Sequence, residues 1–243
     1  PILSACGVET VPLPTVILST HTASGFGDYV MRDMTDEMKA FAAHWKKLNV
    51  KFDGICTGFF ASAEQIRFAE SFLRDFGGED TLIVVDPVLG DNGALYGCFS
   101  EEYVQAMRTL CKAARLITPN HTEAALLAGC SMDTDVNELL EKLPVENVII
   151  TGVRRGEEIG YCARLDGEYT EIFRPCIPQT LHSTGDVFAS ALCGALMNGK
   201  TMPRALEDAA KFCDDCVQKT VKRGEAHWYS LAFEDVLKEE RDR

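Results

Sequence analysis

The chain lacks several features that mark large classes of proteins. No apolar stretch approaches the roughly 18 residues that a membrane-spanning helix needs. There is no Pro/Gly/Ser-rich linker, low-complexity tract or internal repeat, so we expect the 243 residues to form one domain. Basic residues are scarce as well. The 24 Lys and Arg residues against 37 Asp and Glu residues give a formal charge of −13, which predicts a soluble protein without a nucleic-acid-binding surface.

Cysteine, in contrast, is plentiful, with ten residues. Five lie inside apolar segments, where we expect reduced and buried thiols: Cys6, Cys56, Cys111, Cys162 and Cys193. This usage is typical of a cytoplasmic protein. The one CxxC motif, Cys213 to Cys216, has no second pair and lies in a segment with helical spacing. We therefore expect a structural role for it rather than a metal or redox site.

Strand-like and helix-like segments alternate along most of the chain. Apolar, β-branched runs predict strands at 11–19, 52–57, 81–85, 116–117 and 147–150. Helical spacing predicts helices at 35–48, 62–76, 101–114, 122–128, 136–143, 187–197 and 203–221. This alternation predicts an α/β fold, a three-layer α/β/α arrangement with a mostly parallel central sheet and a ligand crevice at the carboxyl ends of the strands. A β-hairpin is expected near 159–173, around Asp166-Gly167.

The start of the chain is unusual. It has no initiator Met, and Pro1 to Gly7 has the pattern of a helix end closed by a C-cap glycine. A helix end requires a preceding element, so we expect the native protein to contain residues upstream of Pro1.

The most informative motif is Ser183-Thr184-Gly185-Asp186, a polar turn that leads directly into an apolar helix. Small residues there leave backbone N–H groups uncovered at a helix N-terminus, which favours a bound anion. A carboxylate at such a place suggests a base held beside a phosphoryl group. An ordinary helix cap explains the same residues, with Ser183 or Thr184 as the N-cap and Asp186 in the first turn. Taken alone, the motif favours that structural interpretation.

Two further polar loops follow predicted strands. Residues 86–93 place Asp86 and Asp91 in a glycine-bearing loop, and carboxylates with phosphates and water are the ligands of Mg²⁺. A turn without a ligand explains this loop equally well. In residues 118–123, Asn120 can cap a helix while Glu123 reaches back as its capping-box partner. The same pair also sets an amide and a carboxylate at the edge of the predicted crevice.

Four segments together resemble the pyridoxal kinase family of the ribokinase-like superfamily: 19–22, 86–93, 118–123 and 183–186. They occur in the order and spacing of that family and span nearly the whole chain. The resemblance implies a single ribokinase-like kinase domain over residues 1–243 that is N-terminally incomplete, because the family's first strand and serine-bearing substrate loop would precede Pro1. It implies ATP-dependent phosphorylation of the 5′-hydroxymethyl group of pyridoxal, pyridoxine or pyridoxamine, in pyridoxal phosphate salvage, by a cytoplasmic homodimer.

The resemblance also implies roles for individual residues. Asp186 would take the proton of the substrate hydroxyl, and the backbone N–H groups of 184 to 186 would stabilise the transferring phosphoryl group. The anion hole would consist of Ser183, Thr184 and Gly185. The ATP contacts would be Asp86, Asp91, Thr118, Thr151 and Gly185. The vitamer would contact His21, Thr22, Phe59 and Asp186. Mg²⁺ would be organised by Asp86, Asn120 and Glu123, with K⁺ or Na⁺ near Thr118 and Glu123.

Two matching positions depart from the family pattern. Ser183 replaces the first glycine of the family motif, which costs free energy if the position needs a positive φ. Phe59 stands where the family often has a Tyr, so the aromatic face is kept and a hydroxyl is lost. Two alternatives stay open. One is hydroxymethylpyrimidine (phosphate) kinase of thiamine synthesis, which shares the fold and cofactors, and the other is a non-catalytic relative that binds a vitamer or a nucleotide.

Overall fold

The computed structural model describes residues 1–22, 25–179, 181–227 and 229–241. Its backbone contacts group the chain into two compact units. The first unit is Val11–Val145, and the second combines Pro1–Thr10 with Glu146–Arg243. Within the described residues, no helix is both long and apolar enough to cross a bilayer.

The elements of the first unit follow the predicted alternation. In chain order they are β1 Val16–Leu18, β2 Met31–Asp33, α1 Thr35–Lys47, β3 Gly54–Thr57, α2 Ala63–Phe76, β4 Leu82–Val85, β5 Gly90–Asp91, β6 Ala94–Leu95, α3 Glu101–Cys111, β7 Leu116–Ile117, α4 His121–Ala128 and α5 Val136–Lys142. Strands β3, β4 and β7 are parallel, with Cys56 opposite Val84 and Val85 opposite Ile117. Helical crossovers connect them, as parallel strands require.

Local capping explains why several helices of this unit begin at their predicted positions. The side chain of Ser62 accepts a hydrogen bond from the Gln65 N–H at the start of α2. Ser100 does the same for Tyr103 at the start of α3. These bonds satisfy backbone donors that the first helical turn leaves without an intrahelical partner. Helix positions read from capping residues are therefore confirmed to within a few residues.

The second unit contains three antiparallel strands and two long helices. Its elements are α6 Ile2–Ala5, β8 Asn147–Arg155, β9 Glu158–Leu165, β10 Glu168–Pro175, α7 Thr184–Met197, α8 Met202–Arg223, a 3₁₀ turn at Gly224–His227 and α9 Phe233–Arg241. The predicted hairpin is confirmed as β9 and β10. Its tip has φ of +50° at Asp166 and +85° at Gly167, which is the backbone that a two-residue hairpin turn needs. The helix end at the start of the chain is also confirmed, with φ of +81° at Gly7.

Three expectations about local structure were wrong. The strand predicted over 11–19 is limited to Val16–Leu18, and Pro12 and Pro14 precede it. Proline cannot donate a ladder hydrogen bond, so the strand starts only after both prolines. The strand predicted to end at Ile150 continues to Arg155 through a bulge between Ile150 and Val153.

The third wrong expectation concerns the thiols. Cys56 is exposed and Cys6 is only half-buried, whereas Cys111, Cys162 and Cys193 are buried as predicted. Cys56 lies next to Ile55 in β3, and neighbouring side chains of a strand point to opposite faces. All ten cysteines lie among the described residues, and none of them forms a disulfide bond.

Candidate active site

The carboxyl ends of β4 and β7 bring the first two predicted site residues together. Asp86 follows β4 and Thr118 follows β7, and these two strands are parallel neighbours. The Thr118 hydroxyl donates a hydrogen bond of 3.1 Å to Oδ1 of Asp86. Thr118 is only 3 % exposed. The Asp86 carboxylate is therefore held in a defined position by a buried hydroxyl.

The predicted capping box at the start of α4 is confirmed. The Glu123 N–H donates to Oδ1 of Asn120 at 2.9 Å, and the Asn120 N–H donates to Oε2 of Glu123 at 2.8 Å. Both side chains also reach the 86–93 loop. Oε1 of Glu123 accepts the Leu89 N–H at 3.0 Å, and Nδ2 of Asn120 donates to the Gly90 carbonyl at 2.8 Å. Asn120 and Glu123 thus do more than cap a helix, because they hold the 86–93 loop against it. We call residues 86–93 the acidic loop.

Glu123 is a buried carboxyl beside a second carboxylate. Glu123 is only 5 % exposed. Burial raises the pKa of Glu123, and the nearby Asp86 carboxylate raises it further, while the N–H groups of Asn120, Leu89 and Gly90 act in the opposite direction. The net direction is upward, since two negative charges in a buried place repel each other. A cation bound near this pair would favour its ionised form.

The donor set of this loop fits a cation that keeps most of its ligands from water or substrate. Among the residues that the structure describes, no group of three or more His, Cys, Asp or Glu side chains is arranged to hold an ion. One or two carboxylates with waters and phosphates are the usual coordination of Mg²⁺. Both Glu123 oxygens already accept N–H groups, but each carboxylate oxygen has a second lone pair for a bound water.

Asp91 lies apart from this hydrogen-bond network. It is exposed, and its two oxygens accept from the Asn92 N–H at 2.8 Å and from Asn92 Nδ2 at 3.0 Å.

The sequence did not single out Tyr96, whose pKa is raised to about 12 by burial and by the carboxylates of Asp91, Glu123 and Asp86. An aromatic residue soon after the acidic loop was the only available signal for it.

An aromatic cluster lies behind Phe59. Phe59 is half-buried, and its ring centroid is 5.9 Å from that of Phe99. Phe99 in turn stacks on Tyr103, with 3.8 Å between centroids and 10° between planes. Phe59 therefore packs beside a stacked aromatic pair, with its ring tilted by 36° from that of Phe99. His21 and Thr22 lie in an exposed segment after β1, and their place in a substrate pocket with Phe59 stays a prediction.

In the second unit, the Ser183–Asp186 motif forms the start of α7 as predicted, but the ordinary cap is absent. Ser183 is the N-cap residue, with φ of +67° and ψ of +15°, and its side chain makes no capping hydrogen bond. Thr184, Gly185 and Asp186 are exposed in the first turn. The N–H groups of that turn have no acceptor inside the helix. Because the Ser183 hydroxyl does not cap these groups, the N-terminus of α7 is exposed.

Two residues outside the predicted site support this turn. The Sγ of Cys213, on α8, lies 3.8 Å from the Thr184 carbonyl oxygen as a hydrogen-bond donor. The Tyr161 ring stacks on Phe188 of α7, with 4.4 Å between centroids and 21° between planes. Burial raises the pKa of Cys213 to about 11, so the thiol stays neutral and can donate. The structural role expected for the CxxC segment is thus to pack against α7.

Thr151 occupies a different setting from the one expected. It is half-buried within β8, at the bulge between Ile150 and Val153. Gly152, next to it, has φ of +68°, a left-handed conformation that favours glycine. A bulge re-aims a side chain within a strand. Thr151 is therefore presented by a distortion of the strand and not by a loop after it.

Comparison with known proteins identifies the family. The profile of the phosphomethylpyrimidine kinase family matches residues 18–230. A Bacteroides thetaiotaomicron protein assigned as a phosphomethylpyrimidine kinase is 38 % identical, with a TM-score of 0.93 over 99 % of this chain and 86 % of that one. A second crystal form of that protein contains pyridoxal.

Two further relatives represent the two substrate types. The pyridoxal kinase of Lactobacillus plantarum is 32 % identical, with a TM-score of 0.90 over 98 % of this chain and 88 % of that one. The hydroxymethylpyrimidine/phosphomethylpyrimidine kinase of Bacillus subtilis is 28 % identical over 72 % of this chain and 67 % of its own length. These matches confirm the predicted α/β fold with a mostly parallel central sheet. The chain belongs to the phosphomethylpyrimidine kinase family, together with the ribokinase-like pyridoxal kinases, and is a kinase of hydroxymethyl groups.

Proposed function

We propose that the protein transfers the γ-phosphoryl group of ATP to the 5′-hydroxymethyl group of a vitamin B6 vitamer: pyridoxal, pyridoxine or pyridoxamine. The observation that carries this proposal is the exposed first turn of α7, which presents Asp186 beside uncapped backbone N–H groups. The relatives support this choice of substrate class. A pyridoxal kinase is 32 % identical, and the 38 % identical protein was crystallised with pyridoxal.

In the proposed reaction, Asp186 is the catalytic base. Its carboxylate accepts the proton of the vitamer hydroxyl as the oxygen attacks the γ-phosphorus, and the bond from that phosphorus to the bridging oxygen breaks to release ADP. The N–H groups of residues 184 to 186 donate to the phosphoryl oxygens during the transfer. Catalysis of this kind rests on positioning and on electrostatic stabilisation of the transferred group.

The acidic loop would hold the metal. Asp86 and Glu123, with Asn120 beside them, would bind Mg²⁺ through its waters, and the ion would neutralise charge on the ATP phosphates. Thr118 keeps the Asp86 carboxylate in place through its hydrogen bond. We extend the proposal to a K⁺ or Na⁺ ion near Thr118 and Glu123. Asp91, Thr151 and Gly185 complete the proposed ATP contacts.

The vitamer ring would lie against Phe59, with His21 and Thr22 as its polar contacts. The Phe99–Tyr103 stack behind Phe59 makes that ring a stiff surface, and flat aromatic substrates gain affinity from such a surface. A phenylalanine offers no hydroxyl to the substrate, so recognition of ring substituents would fall to His21 and Thr22.

We also propose that residues 1–243 form one domain and act as part of a cytoplasmic homodimer. Light scattering on the purified protein can test the dimer.

Hydroxymethylpyrimidine is the second candidate substrate, because a hydroxymethylpyrimidine kinase is 28 % identical over 72 % of the chain. A competition assay separates the two. We expect ATP- and Mg²⁺-dependent phosphorylation of at least one vitamer with a higher kcat/KM than for hydroxymethylpyrimidine. Faster turnover of hydroxymethylpyrimidine than of every vitamer would overturn the substrate assignment.

The catalytic role of Asp186 needs its own variant. Loss of a general base costs about 10²- to 10⁴-fold in rate, so Asp186→Asn should lower kcat by that factor with its circular dichroism unchanged. Asp80→Asn, at an exposed turn residue, is the matched control and should retain full activity. Vitamer binding without turnover in the wild-type protein would instead support the non-catalytic alternative.

A further inference from the structure

Cys213 contacts the backbone of the turn that carries Asp186. It belongs to α8 and is only 5 % exposed. Its thiol donates a hydrogen bond to the Thr184 carbonyl oxygen, with 3.8 Å between sulfur and oxygen. Thr184 is the first residue of α7, two positions before Asp186. A side chain of the neighbouring helix thus reaches the buried side of the proposed catalytic turn.

This contact restrains more than the carbonyl that accepts it. The peptide bond between Thr184 and Gly185 is trans, so the Thr184 carbonyl and the Gly185 N–H lie in one plane and point in opposite directions. At the start of a helix the carbonyls point along the helix, and the first N–H groups point out of its N-terminus. A donor that holds the Thr184 carbonyl therefore also sets the direction of the Gly185 N–H, one of the proposed phosphoryl contacts.

Gly185 is the residue of this turn that most needs such a restraint. Glycine has the widest range of backbone conformations. A Cβ at this position would have no atom of the described residues within 4 Å, so the outer side of the turn is open. The Ser183 side chain makes no capping hydrogen bond that could hold the turn from outside. A restraint on the buried side therefore matters more here than at a capped helix.

The Cys213 thiol is itself held in place. It forms a hydrogen bond with the Tyr161 hydroxyl, and the Tyr161 ring stacks on Phe188 of α7. The thiol hydrogen is used toward the backbone of α7, so in this bond the hydroxyl donates to the sulfur. Beside Cys213, Asp214 pairs with Arg174 of β10 at 3.0 Å, which ties α8 to that strand. The thiol is thus fixed from β9 and from its own helix.

We propose that Cys213 is a positioning residue of the kinase reaction, whose thiol directs the Gly185 N–H toward the transferring phosphoryl group. This inference rests on the proposed function, because it requires phosphoryl transfer at the start of α7. Cys213 acts through the Thr184–Gly185 peptide and makes no contact with the substrate. An N–H group aimed at the transferred group stabilises the transition state more than the bound substrates. Loss of the thiol should therefore lower kcat and leave KM unchanged.

The test compares two buried thiols that lie one turn apart on α8. Cys213→Ala removes the donor to Thr184, and Cys216→Ala removes the other thiol of the CxxC motif. Removal of a whole oxyanion donor costs about 10²- to 10³-fold in kcat, and a misdirected donor costs less. We expect kcat for the preferred vitamer to fall about three- to tenfold in Cys213→Ala, with KM unchanged. Cys216→Ala is the matched control and should keep the wild-type kcat.

A second variant leaves the packing of α7 intact. Tyr161→Phe removes the hydroxyl that donates to the thiol and keeps the ring that stacks on Phe188. It should lower kcat less than Cys213→Ala does, again with KM unchanged. Should Cys213→Ala fail to fold, an unchanged kcat in Tyr161→Phe would overturn the proposal.

The direction of the Gly185 N–H has a readout that does not depend on activity. In protein labelled with ¹⁵N-glycine, the Gly185 amide signal is assigned by its absence in Gly185→Ala. We expect this signal to move in Cys213→Ala and to stay in place in Cys216→Ala. An unmoved signal, or equal kcat values in the two cysteine variants, would overturn the positioning role while the kinase activity stands. A wild-type protein that phosphorylates no hydroxymethyl substrate would overturn the proposed function, whatever the signal does.

Discussion

The Glu123 carboxylate accepts a hydrogen bond from the Leu89 N–H, a residue 34 positions earlier, at 3.0 Å. The same carboxylate accepts the Asn120 N–H on its other oxygen. A buried acid that binds both of these backbone segments holds the 86–93 loop against the start of α4. The position of the Asp86 side chain, at the start of that loop, therefore depends on Glu123 as well as on Thr118.

Replacing Glu123 by alanine should destabilise the protein. The change leaves the N–H groups of Leu89 and Asn120 without acceptors, and each buried unpaired donor costs about 1–3 kcal/mol. Relief of the repulsion from Asp86 offsets part of this loss. We expect urea unfolding to show a loss of about 2–4 kcal/mol.

Glu138→Ala is the matched control for this variant. Glu138 occupies the corresponding N3 position of α5, after the N-cap Asp135, and its side chain is 55 % exposed. Surface substitutions of this kind change stability by about 0.5 kcal/mol or less. Equal losses in the two variants would show that the contacts of Glu123 with Leu89 and Asn120 contribute nothing to stability.

Ser183→Gly should stabilise the protein. Ser183 has φ of +67°, and a left-handed conformation costs a non-glycine residue about 1–2 kcal/mol. Glycine removes that strain but gains entropy in the unfolded chain, so we expect a net gain of about 0.5–1 kcal/mol in the free energy of unfolding. Thermal and urea unfolding measure it.

The control for Ser183 is a second N-cap serine in an ordinary conformation. Ser62 has φ of −155°, and its side chain accepts the Gln65 N–H. Ser62→Gly should therefore lower stability by a few tenths of a kcal/mol or more, since the capping bond is lost. A loss of stability in Ser183→Gly greater than that in Ser62→Gly would contradict the inferred strain.

Mg²⁺ should raise the melting temperature through Asp86. A cation near Asp86 and Glu123 offsets the repulsion between two carboxyls, and a ligand that binds only the folded state stabilises it. We expect Mg²⁺ with a non-hydrolysable ATP analogue to raise Tm in the wild type and to raise it much less in Asp86→Asn. Differential scanning fluorimetry gives the comparison.

Asp91→Asn distinguishes the two aspartates of the loop. The Asp91 carboxylate is exposed, and it accepts its hydrogen bonds from the neighbouring Asn92. We expect Asp91→Asn to lose less of the Mg²⁺-dependent rise in Tm than Asp86→Asn does, because its proposed contact is with ATP and not with the metal. An equal loss of this rise in both variants would assign the metal to the loop as a whole rather than to Asp86.

The parts of the site that were predictable from the sequence depend on local rules. Asn120 and Glu123 are three residues apart, so their capping box follows from helix geometry alone. The meeting of Asp86 with Thr118 follows from the rule that parallel strands end at one edge of a sheet. In both cases the residues that contact each other are set by secondary structure.

The parts that were missed depend on contacts distant in sequence or on backbone torsion. Tyr161 and Phe188 are 27 positions apart, and no spacing rule pairs a strand residue with a helix residue. The left-handed Ser183 could be suspected only from the glycine it replaces in the family motif. The bulge at Thr151 was missed because the apolar run ended there, and the strand continues through polar residues as far as Arg155.

Gly152→Ala should affect both stability and ATP use. Gly152 has φ of +68°, and the space that an added Cβ would occupy is open, so alanine introduces backbone strain of about 1 kcal/mol without a steric clash. Because Gly152 adjoins Thr151 in the bulge, the strain should displace Thr151 and raise the KM for ATP. Gly156→Ala is the matched control, since Gly156 has φ of +59°, equally open space and a place at the turn between β8 and β9. It should lose similar stability with an unchanged KM, and a KM that rises equally in both variants would show that the bulge has no special part in binding ATP.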